Sequence, residues 1–344
     1  MKSFLPFLLL IFLVACSSSN SEDQKKTPAI NPEESNFQTT GSIERLDETI
    51  DALIPQSAVI EVLAEGFTWT EGPLWIADGQ YLLFSDIPPN RIMKWSEKEG
   101  LSLYLSPSGY TAAKERSGEP GSNGLLLDGS GNLVLCQHGD RRMAKMNTSL
   151  EAPRPEFTTI IDKYEGKRFN SPNDAVYDSQ GNLYFTDPPY GLEKNMGDPE
   201  KEIDFQGVYR YSNKGELSLV TNIMTRPNGI GLSPDETTLY VANSDPNQSI
   251  WMAFKLSPEG KVLEEKVFYD ATGSPGKGLP DGLKVDKNGN IWATGPGGVW
   301  VFNAEAKVLG KILTGEATSN CGFDEEQQTL YMTCDDYLMR IKLK

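Results

Sequence analysis

The hydrophobic positions of this chain alternate with polar ones in short runs, and the runs come in pairs separated by turn residues. The stretch "SPNDAVYDSQGNLYFTD", residues 171–187, contains an apolar run, a turn of Asp, Gly and Asn, and a second alternating run. Gly and Asn supply the positive φ angles of tight turns, and a period of two is typical of a half-buried strand. The stretch therefore predicts a β-hairpin, and it opens on two polar residues, Asn173 and Asp174.

This hairpin recurs six times, each copy beginning with a polar residue that we call its leader. The six leaders are Glu71, Asn123, Asn173, Asn228, Asp281 and Asn320. A second, weaker hairpin separates successive copies, so that each period supplies four strands, the size of a propeller blade. We therefore predict an all-β fold, a six-bladed β-propeller with four strands per blade. A pair of β-sandwiches is the competing architecture, although it does not naturally produce six repeats.

The sixth copy is one strand short of a blade, because only "YLMRIKLK" follows its leader hairpin. We expect "SAVIEVLAEG", residues 57–66, to supply the missing strand. An N-terminal strand closing the last blade would remove an exposed sheet edge, which is otherwise a site of aggregation.

The first residues predict export. The apolar run from Phe4 to Ala15 is too short to span a bilayer as a helix and has the length of a signal-peptide core. Its end, "LVAC", resembles a bacterial lipobox in which Cys16 is lipidated, with an ordinary secretory signal as the alternative. We predict a lipoprotein signal peptide over 1–15 and a cell-envelope lipoprotein, in the periplasm or at the outer membrane if the source is Gram-negative.

Residues 16–45 are rich in Ser, Asn, Pro and charge, and such a composition buries too little apolar surface to offset the entropy of ordering. We predict a flexible tether over 16–45 and the propeller over 46–344. Membrane contact would then be made only through the lipid.

Charge and composition exclude several classes of function. The formal net charge of −16 disfavours nucleic acid as a partner and is compatible with binding a cation, although an acidic surface also serves solubility. A single histidine, His138, excludes a multi-histidine metal site, and no G-x-S-x-G motif accompanies it. Cys321 and Cys334 flank one hairpin two residues out of register, so a disulfide there is possible but is not predicted.

The leaders should form a ring at one mouth of the propeller channel, because the first strand of each blade lines that channel. Asn and Asp also start strands as turn caps, which is the simpler explanation for any one of them. Six carboxylate or amide leaders, one of them a Glu, favour a set of hard oxygen ligands for Ca²⁺, with Mg²⁺ or Mn²⁺ as lesser candidates. Six direct ligands would be too wide for one ion, so a subset must bind.

Six ordered motifs between residues 57 and 344 resemble the family of senescence marker protein (regucalcin), gluconolactonase and luciferin-regenerating enzyme, in its bacterial sugar-lactone lactonase branch. They are "FTWTEGPLW", "GEPGSNGLLLD", "CQHGDRR", "FNSPNDAVYDSQGNLYFTDPPYGL", "RPNGIGLSPD" and "LPDGLKVDKNGNIWAT". The resemblance implies a monomeric, metal-dependent hydrolase of a sugar lactone. It implies one divalent metal, with Zn²⁺ a further possibility, held by Glu71, Asn173, Asn228 and Asp281.

The resemblance also suggests roles around the metal. Asp281 is the candidate general base, with direct activation of water by the metal as the alternative. Asp174 and Asn320 would support the ligands from behind. Asn123, His138, Arg142 and Tyr190 are candidate substrate contacts, although His138 is equally interpretable as a surface residue and Tyr190 as a packing residue.

Residues 106–122 resemble a lid, or else form an ordinary long surface loop. Two other functions stay open at this point. One is an esterase or phosphotriesterase on the same fold, and the other is a non-catalytic binding propeller plugged by Ca²⁺.

Overall fold

A computed structural model of the chain describes residues 37–344, and it confirms the six-bladed all-β propeller with four strands in each blade. Ahead of the first blade lie β1 (Gln38–Thr40), β2 (Ser42–Arg45) and β3 (Ile60–Glu65). Blade 1 contains β4 (Thr70–Ile76), β5 (Tyr81–Asp86), β6 (Arg91–Ser96) and β7 (Gly100–Leu105). Blade 2 contains β8 (Ser122–Leu127), β9 (Leu133–Gln137), β10 (Arg142–Met146) and β11 (Phe157–Ile161).

A short ribbon, β12 (Lys163–Tyr164) and β13 (Lys167–Arg168), precedes the second half of the ring. Blade 3 contains β14 (Ala175–Tyr177), β15 (Leu183–Asp187), β16 (Gly207–Tyr211) and β17 (Leu217–Thr221). Blade 4 contains β18 (Pro227–Leu232), β19 (Thr238–Asp245), β20 (Gln248–Leu256) and β21 (Val262–Asp270). Blade 5 contains β22 (Leu283–Val285), β23 (Ile291–Gly295), β24 (Gly298–Phe302) and β25 (Val308–Leu313). Blade 6 is built from β26 (Thr318–Phe323), β27 (Thr329–Cys334), β28 (Tyr337–Lys342) and the early strand β3.

The ring is closed by the N-terminal strand, as the sequence predicts. β3 pairs antiparallel with β28, with Ile60 opposite Ile341. Each of the six predicted leader hairpins forms the first two strands of a blade.

The structure corrects the boundary of the tether. β1 adds a fifth strand to blade 6 by pairing with β3, and β2 adds a fifth strand to blade 5 by pairing with β25. Gly41 turns the chain between the two blades with φ of 62°, and a Cβ there would lie 2.1 Å from the carbonyl oxygen of Leu313. Residues 38–45 are therefore part of the folded body, held by backbone pairing that a count of apolar residues does not reveal. The predicted signal peptide over 1–15, Cys16 and residues 17–36 lie outside the described residues.

Six apolar clusters fill the six interfaces between neighbouring blades. The alternation of β5 shows how this arises, because Leu82 and Phe84 pack towards blade 6 while Leu83 packs towards blade 2. A strand such as β5 thus contributes to two interfaces, one on each face of its blade. The polar leaders lie at the inner ends of the blades, outside these apolar clusters.

Within residues 37–344, helical structure is limited to two 3₁₀ segments, Glu48–Ala52 and Asn195–Gly197. None of the helices in this part of the chain has the length and apolar character needed to cross a membrane. Cys136, Cys321 and Cys334 are buried and unbridged, and Cys321 faces Met332 across its hairpin, two residues away from Cys334.

Candidate active site

Five of the six leaders converge on one cavity of about 230 Å³ at the centre of the ring. They are Glu71, Asn123, Asn173, Asn228 and Asp281. The remaining wall is supplied by Trp69, Glu119, Tyr190, Arg226, Ser244, Gly278, Leu279, Ala317 and Thr318. The strand starts that the sequence marks as equivalent are therefore brought together in space.

Irregular strand pairing turns the leaders inward. In blade 1 the register between β4 and β5 shifts between Glu71 and Leu74, and blades 2, 4 and 6 carry a shift at the same place. In blades 3 and 5 the leader lies just before the strand, where Asn173 N donates to Thr186 O at 2.9 Å. A bulge at the start of a strand redirects a side chain that regular pleating would turn into a blade interface.

A glycine often follows the leader, and the geometry explains why. A Cβ on Gly229 would lie 2.2 Å from the carbonyl oxygen of Asp281, the leader of the next blade. A Cβ on Gly282 would lie 2.0 Å from Cγ of Asn320, again the next leader. The small residue thus allows adjacent innermost strands to approach closely.

Four leaders place an unpaired oxygen in the cavity wall. Oδ1 of Asn123, Asn173, Asn228 and Asp281 is buried and has no hydrogen-bond partner among residues 37–344. A buried polar atom without a partner costs on the order of 1–3 kcal/mol, so four of them in one cavity indicate a ligand.

The amide nitrogens of two of these leaders have polar partners. Asn228 Nδ2 donates to Ser244 Oγ at 2.9 Å, and Asn173 Nδ2 lies 3.4 Å from His138 Nε2. Each partner fixes the orientation of an amide and leaves its oxygen facing inward.

Asn320, the sixth leader, has a different environment. Its Nδ2 donates to Glu71 Oε2 at 3.0 Å and approaches Asp174 Oδ2 at 3.4 Å, while its Oδ1 accepts from Cys321 N at 2.9 Å. Both faces of this amide are occupied, so it supports Glu71 and does not contribute an oxygen to the cavity.

The carboxylates of the cavity raise one another's proton affinity. Burial is the main cause that raises the pKa of Glu71, from 4.5 to about 8, and the nearby Asp174 adds to the rise. Burial likewise raises the pKa of Asp281 well above its usual value, with the Glu71 charge as the next cause. The raised pKa values of Glu71 and Asp281 mean that these two carboxylates lack compensating positive charge in the metal-free cavity.

A divalent cation fits this donor set. Nowhere in the described part of the chain do three His, Cys, Asp or Glu side chains cluster as a metal site, so an ion here would depend on amide oxygens as well as carboxylates. Two carboxylates and unpaired amide oxygens are hard ligands that suit Ca²⁺, and a bound cation would offset the anionic charge.

Three of the four predicted substrate contacts lie at the site, and Asn123 is one of them as a leader that lines the cavity. Tyr190 lines the cavity directly. His138 is fully buried behind Asn173, with Nδ1 3.3 Å from Oε2 of Glu119, so the interpretation as a surface histidine is wrong.

Arg142 does not reach the cavity, and its prediction as a substrate contact is corrected. Its guanidinium donates to Gln137 Oε1, Thr159 Oγ1 and Asp140 Oδ2 on its own blade. The direction of its strand, which the motif alone does not give, turns the side chain away. Arg226 is instead the one cationic side chain among the described residues that line the cavity.

The long segment over residues 106–121 forms part of the wall. Glu119 lines the cavity, and Arg116 donates to the carbonyl oxygens of Gly139 (2.9 Å) and Gly191 (2.6 Å). Ser117 N donates to Glu193 Oε1 at 2.9 Å. The segment is thereby joined to the loop that carries Tyr190.

Sequence reasoning missed eight wall residues, including Trp69, Glu119, Arg226 and Ser244. Trp69 and Arg226 each stand two residues before a leader, a repeated offset that would have been a usable signal. Glu119 and Ser244 come from a loop and from the far end of a second strand, where no repeat position marks them.

Fold and site together define a six-bladed propeller with an oxygen-rich central cavity, and comparison with known proteins identifies its class. Residues 69–335 match the model of the SMP-30/gluconolactonase/LRE-like region. The chain is 39% identical over 323 residues to a gluconolactonase of Zymomonas mobilis, covering 90% of this chain and 88% of the relative.

Solved structures agree with this assignment. A gluconolactonase of Xanthomonas campestris superposes with a TM-score of 0.76 at 29% identity, over 92% of this chain and 99% of that one. A calcium-binding regucalcin of Agrobacterium tumefaciens, at 18% identity and a TM-score of 0.64 over 82% of this chain and 94% of that one, shares the fold. The protein is a carboxylic-ester hydrolase. It belongs to the SMP-30/gluconolactonase/LRE-like family.

Proposed function

We propose that this protein hydrolyses a small sugar lactone with the help of one divalent cation, most readily Ca²⁺, bound in the central cavity. The observation that carries the proposal is the set of unpaired oxygens on Asn123, Asn173, Asn228 and Asp281 around one cavity. The similarity to a gluconolactonase over most of both chains supports lactone as the substrate class. A relative described as a pentonolactonase, from Haloferax volcanii, is 24% identical over 76% of this chain and 80% of its own length.

Glu71, Asn173, Asn228 and Asp281 would hold the cation, and Asn320 would orient the Glu71 carboxylate. When bound there, a divalent cation supplies Lewis-acid polarisation of the lactone carbonyl oxygen. Asn123, whose oxygen is also unpaired, is left to bind a substrate hydroxyl.

The protein side chains would then direct the proton transfer. Asp281 is our candidate general base, since burial raises its pKa and thus strengthens it as a proton acceptor. The attacking water forms a bond to the carbonyl carbon as its proton passes to Asp281. Cleavage of the ring C–O bond returns that proton to the departing oxygen, and the product is a hydroxy acid.

The shape and charge of the cavity favour a small polar substrate. A volume of about 230 Å³ lies below the 300–1,000 Å³ that is typical of drug-sized ligands. The Arg226 guanidinium would donate hydrogen bonds to substrate oxygens, and Tyr190 and Trp69 would provide ring surfaces against which a sugar can pack.

The proposal is tested by measuring gluconolactone hydrolysis by the protein from residue 37 onward, before and after removal of divalent ions. We expect activity to fall to the uncatalysed rate and to return with Ca²⁺. A panel of organophosphate esters, compared by kcat/KM, separates the lactonase from a phosphotriesterase on the same scaffold. Unchanged lactonase activity after chelation would refute the metal-dependent mechanism.

The location of the protein is a separate proposal that depends on the N-terminal sequence alone. The apolar run and the "LVAC" sequence support an exported lipoprotein attached through Cys16. Mass spectrometry of the N-terminal peptide from the natural host would show a diacylglyceryl cysteine if the proposal is right.

We also propose that the protein is a monomer. Light scattering of the purified protein would measure its molar mass and so test this.

A further inference from the structure

A hydrogen-bonded network connects opposite sides of the ring beside the cavity. Asn320 of blade 6 donates to Glu71 of blade 1 at 3.0 Å and approaches Asp174 of blade 3 at 3.4 Å. Blades 3 and 6 face each other in a ring of six, so this network reaches across the propeller axis. Asp174 is only 4% exposed and is further held by Ala175 N at 2.9 Å from its Oδ1.

The network includes a lysine that the proposed function does not use. Lys284 Nζ of blade 5 lies 3.7 Å from Asp174 Oδ2 and 3.4 Å from Asn320 Oδ1, and it donates to Leu283 O at 3.0 Å. Its side chain is about one-third exposed.

Asp174 and Lys284 each depart from the six-fold repeat, and they meet each other. The position after the leader is glycine or cysteine in the five copies other than Asp174, and the third position after it is apolar or glycine in the five copies other than Lys284. The first set is Gly72, Gly124, Asp174, Gly229, Gly282 and Cys321. The second set is Leu74, Leu126, Val176, Gly231, Lys284 and Phe323. Two charged departures of opposite sign within 4 Å of each other indicate a compensating pair.

The pair also fixes the Asn320 amide. Its two N–H groups face the carboxylates of Glu71 and Asp174, and its oxygen faces Cys321 N and the Lys284 ammonium. A flipped amide would set its oxygen against two carboxylates and its N–H groups against two donors. The ammonium therefore favours the one orientation in which Asn320 donates to Glu71.

We propose that Lys284 is a positioning residue for the cation site, acting through Asp174 and Asn320 to hold the Glu71 carboxylate in place. The inference depends on the proposed divalent cation. Lys284 balances the charge of Asp174 without itself contributing a ligand to the proposed cation. Residues that orient metal ligands typically alter metal affinity by about 10–100-fold when they are removed.

The test is calorimetric titration of metal-stripped protein with Ca²⁺, comparing the parent with Lys284→Met. We expect Ca²⁺ affinity to fall by about 10–100-fold in Lys284→Met, and kcat to recover once Ca²⁺ is saturating. Lys287→Met is the matched control, since Lys287 is exposed on the neighbouring turn. Its affinity should equal that of the parent.

A double variant, Asp174→Asn with Lys284→Met, separates charge compensation from misfolding. It removes both charges of the Asp174–Lys284 pair, so we expect it to bind Ca²⁺ more tightly than Lys284→Met and to unfold at a higher temperature. Equal Ca²⁺ affinity in Lys284→Met and the parent would overturn the inference, as would a double variant no tighter than Lys284→Met. Absence of Ca²⁺ binding by the parent would instead refute the proposed cation.

Discussion

The leader hairpins carry Asp and Asn both at the turn and at the leader position, but the hydrogen bonding of these side chains differs between the two ends. At the turn of the blade 3 hairpin, Asp178 Oδ1 accepts from Gln180 N at 3.0 Å and Asn182 N at 2.8 Å, and its Oδ2 accepts from Asn182 Nδ2 at 2.6 Å. At the start of the same hairpin, Asn173 Oδ1 is buried without a partner. We call the turn the closed end of the hairpin, because nearby backbone and side-chain groups satisfy its polar side chain. We call the leader position the open end, because its side-chain oxygen has no partner.

Blade 5 shows the contrast with two aspartates. Asp286 in the turn accepts from Asn288 N and Asn290 N, both at 2.9 Å, and from the indole of Trp292 at 3.1 Å. Asp281, at the leader position, has an unpaired Oδ1. The difference teaches that a residue type alone does not distinguish a structural carboxylate from a functional one, whereas its hydrogen bonds do.

The largest effect is expected at the open end, in Asp281→Asn. The isosteric change removes the candidate base and an anionic ligand, so kcat/KM for lactone hydrolysis should fall by about 100-fold or more. The metal-free protein should unfold at an equal or higher denaturant concentration, because one of two repelling buried carboxylates is gone. Asp286→Asn is the matched control, and comparable loss of activity in both would remove the contrast.

The opposite outcome is expected at the closed end, in Asp286→Ala. The change leaves the buried Trp292 indole N–H and two turn N–H groups without their acceptor, at a cost of about 1–3 kcal/mol. Urea denaturation should show this loss of unfolding free energy while kcat stays at the parent value below the transition. A drop in kcat without loss of stability would place function at the turn.

A smaller effect is expected from Ser244→Ala, which acts on the open end through Asn228. Asn228 Nδ2 would lose its acceptor, and free rotation of the amide should weaken Ca²⁺ binding by about tenfold. Ser249→Ala is a suitable control, since this hydroxyl donates to Asp245 O on the same blade and does not line the cavity. Equal calorimetric affinity in the two variants would mean that Ser244 does not orient the amide.

An effect of similar size, but on substrate binding, is expected from Arg226→Leu in the cavity wall. Loss of one charge-assisted hydrogen bond to substrate corresponds to about 1.4 kcal/mol, or a tenfold rise in KM, with kcat nearly unchanged. Steady-state kinetics at saturating Ca²⁺ measure the two constants separately. A fall confined to kcat would instead assign Arg226 to the transition state.

Much of the fold was predictable because the amino-acid sequence repeats one hairpin pattern six times. Each leader hairpin combines alternation with turn residues, and closure by β3 follows from the one missing strand. β1 and β2 were not predictable from composition, because residues 38–45 are mostly polar and join the sheets by edge pairing, with Ile43 packed against a core cluster.

The candidate site was predictable to the extent that it follows the repeat. The leaders share one position in every copy, and so their convergence could be foreseen. The different environment of Asn320 could not be foreseen, since it depends on contacts with Asp174 of the opposite blade and Lys284 of the neighbouring blade. Whether Arg142 reaches the cavity depends on the direction of its strand, and whether Glu119 does depends on the path of its loop. The spacing of residues in the sequence gives neither.

The central claim is that the open ends of the hairpins bind a divalent cation that lactone hydrolysis requires. It is tested most directly by the rate of gluconolactone hydrolysis by metal-stripped protein as Ca²⁺ is added. The account predicts no rate above background in the stripped protein and full recovery at one bound Ca²⁺ per chain. Full activity of the stripped protein, without added metal, would contradict it.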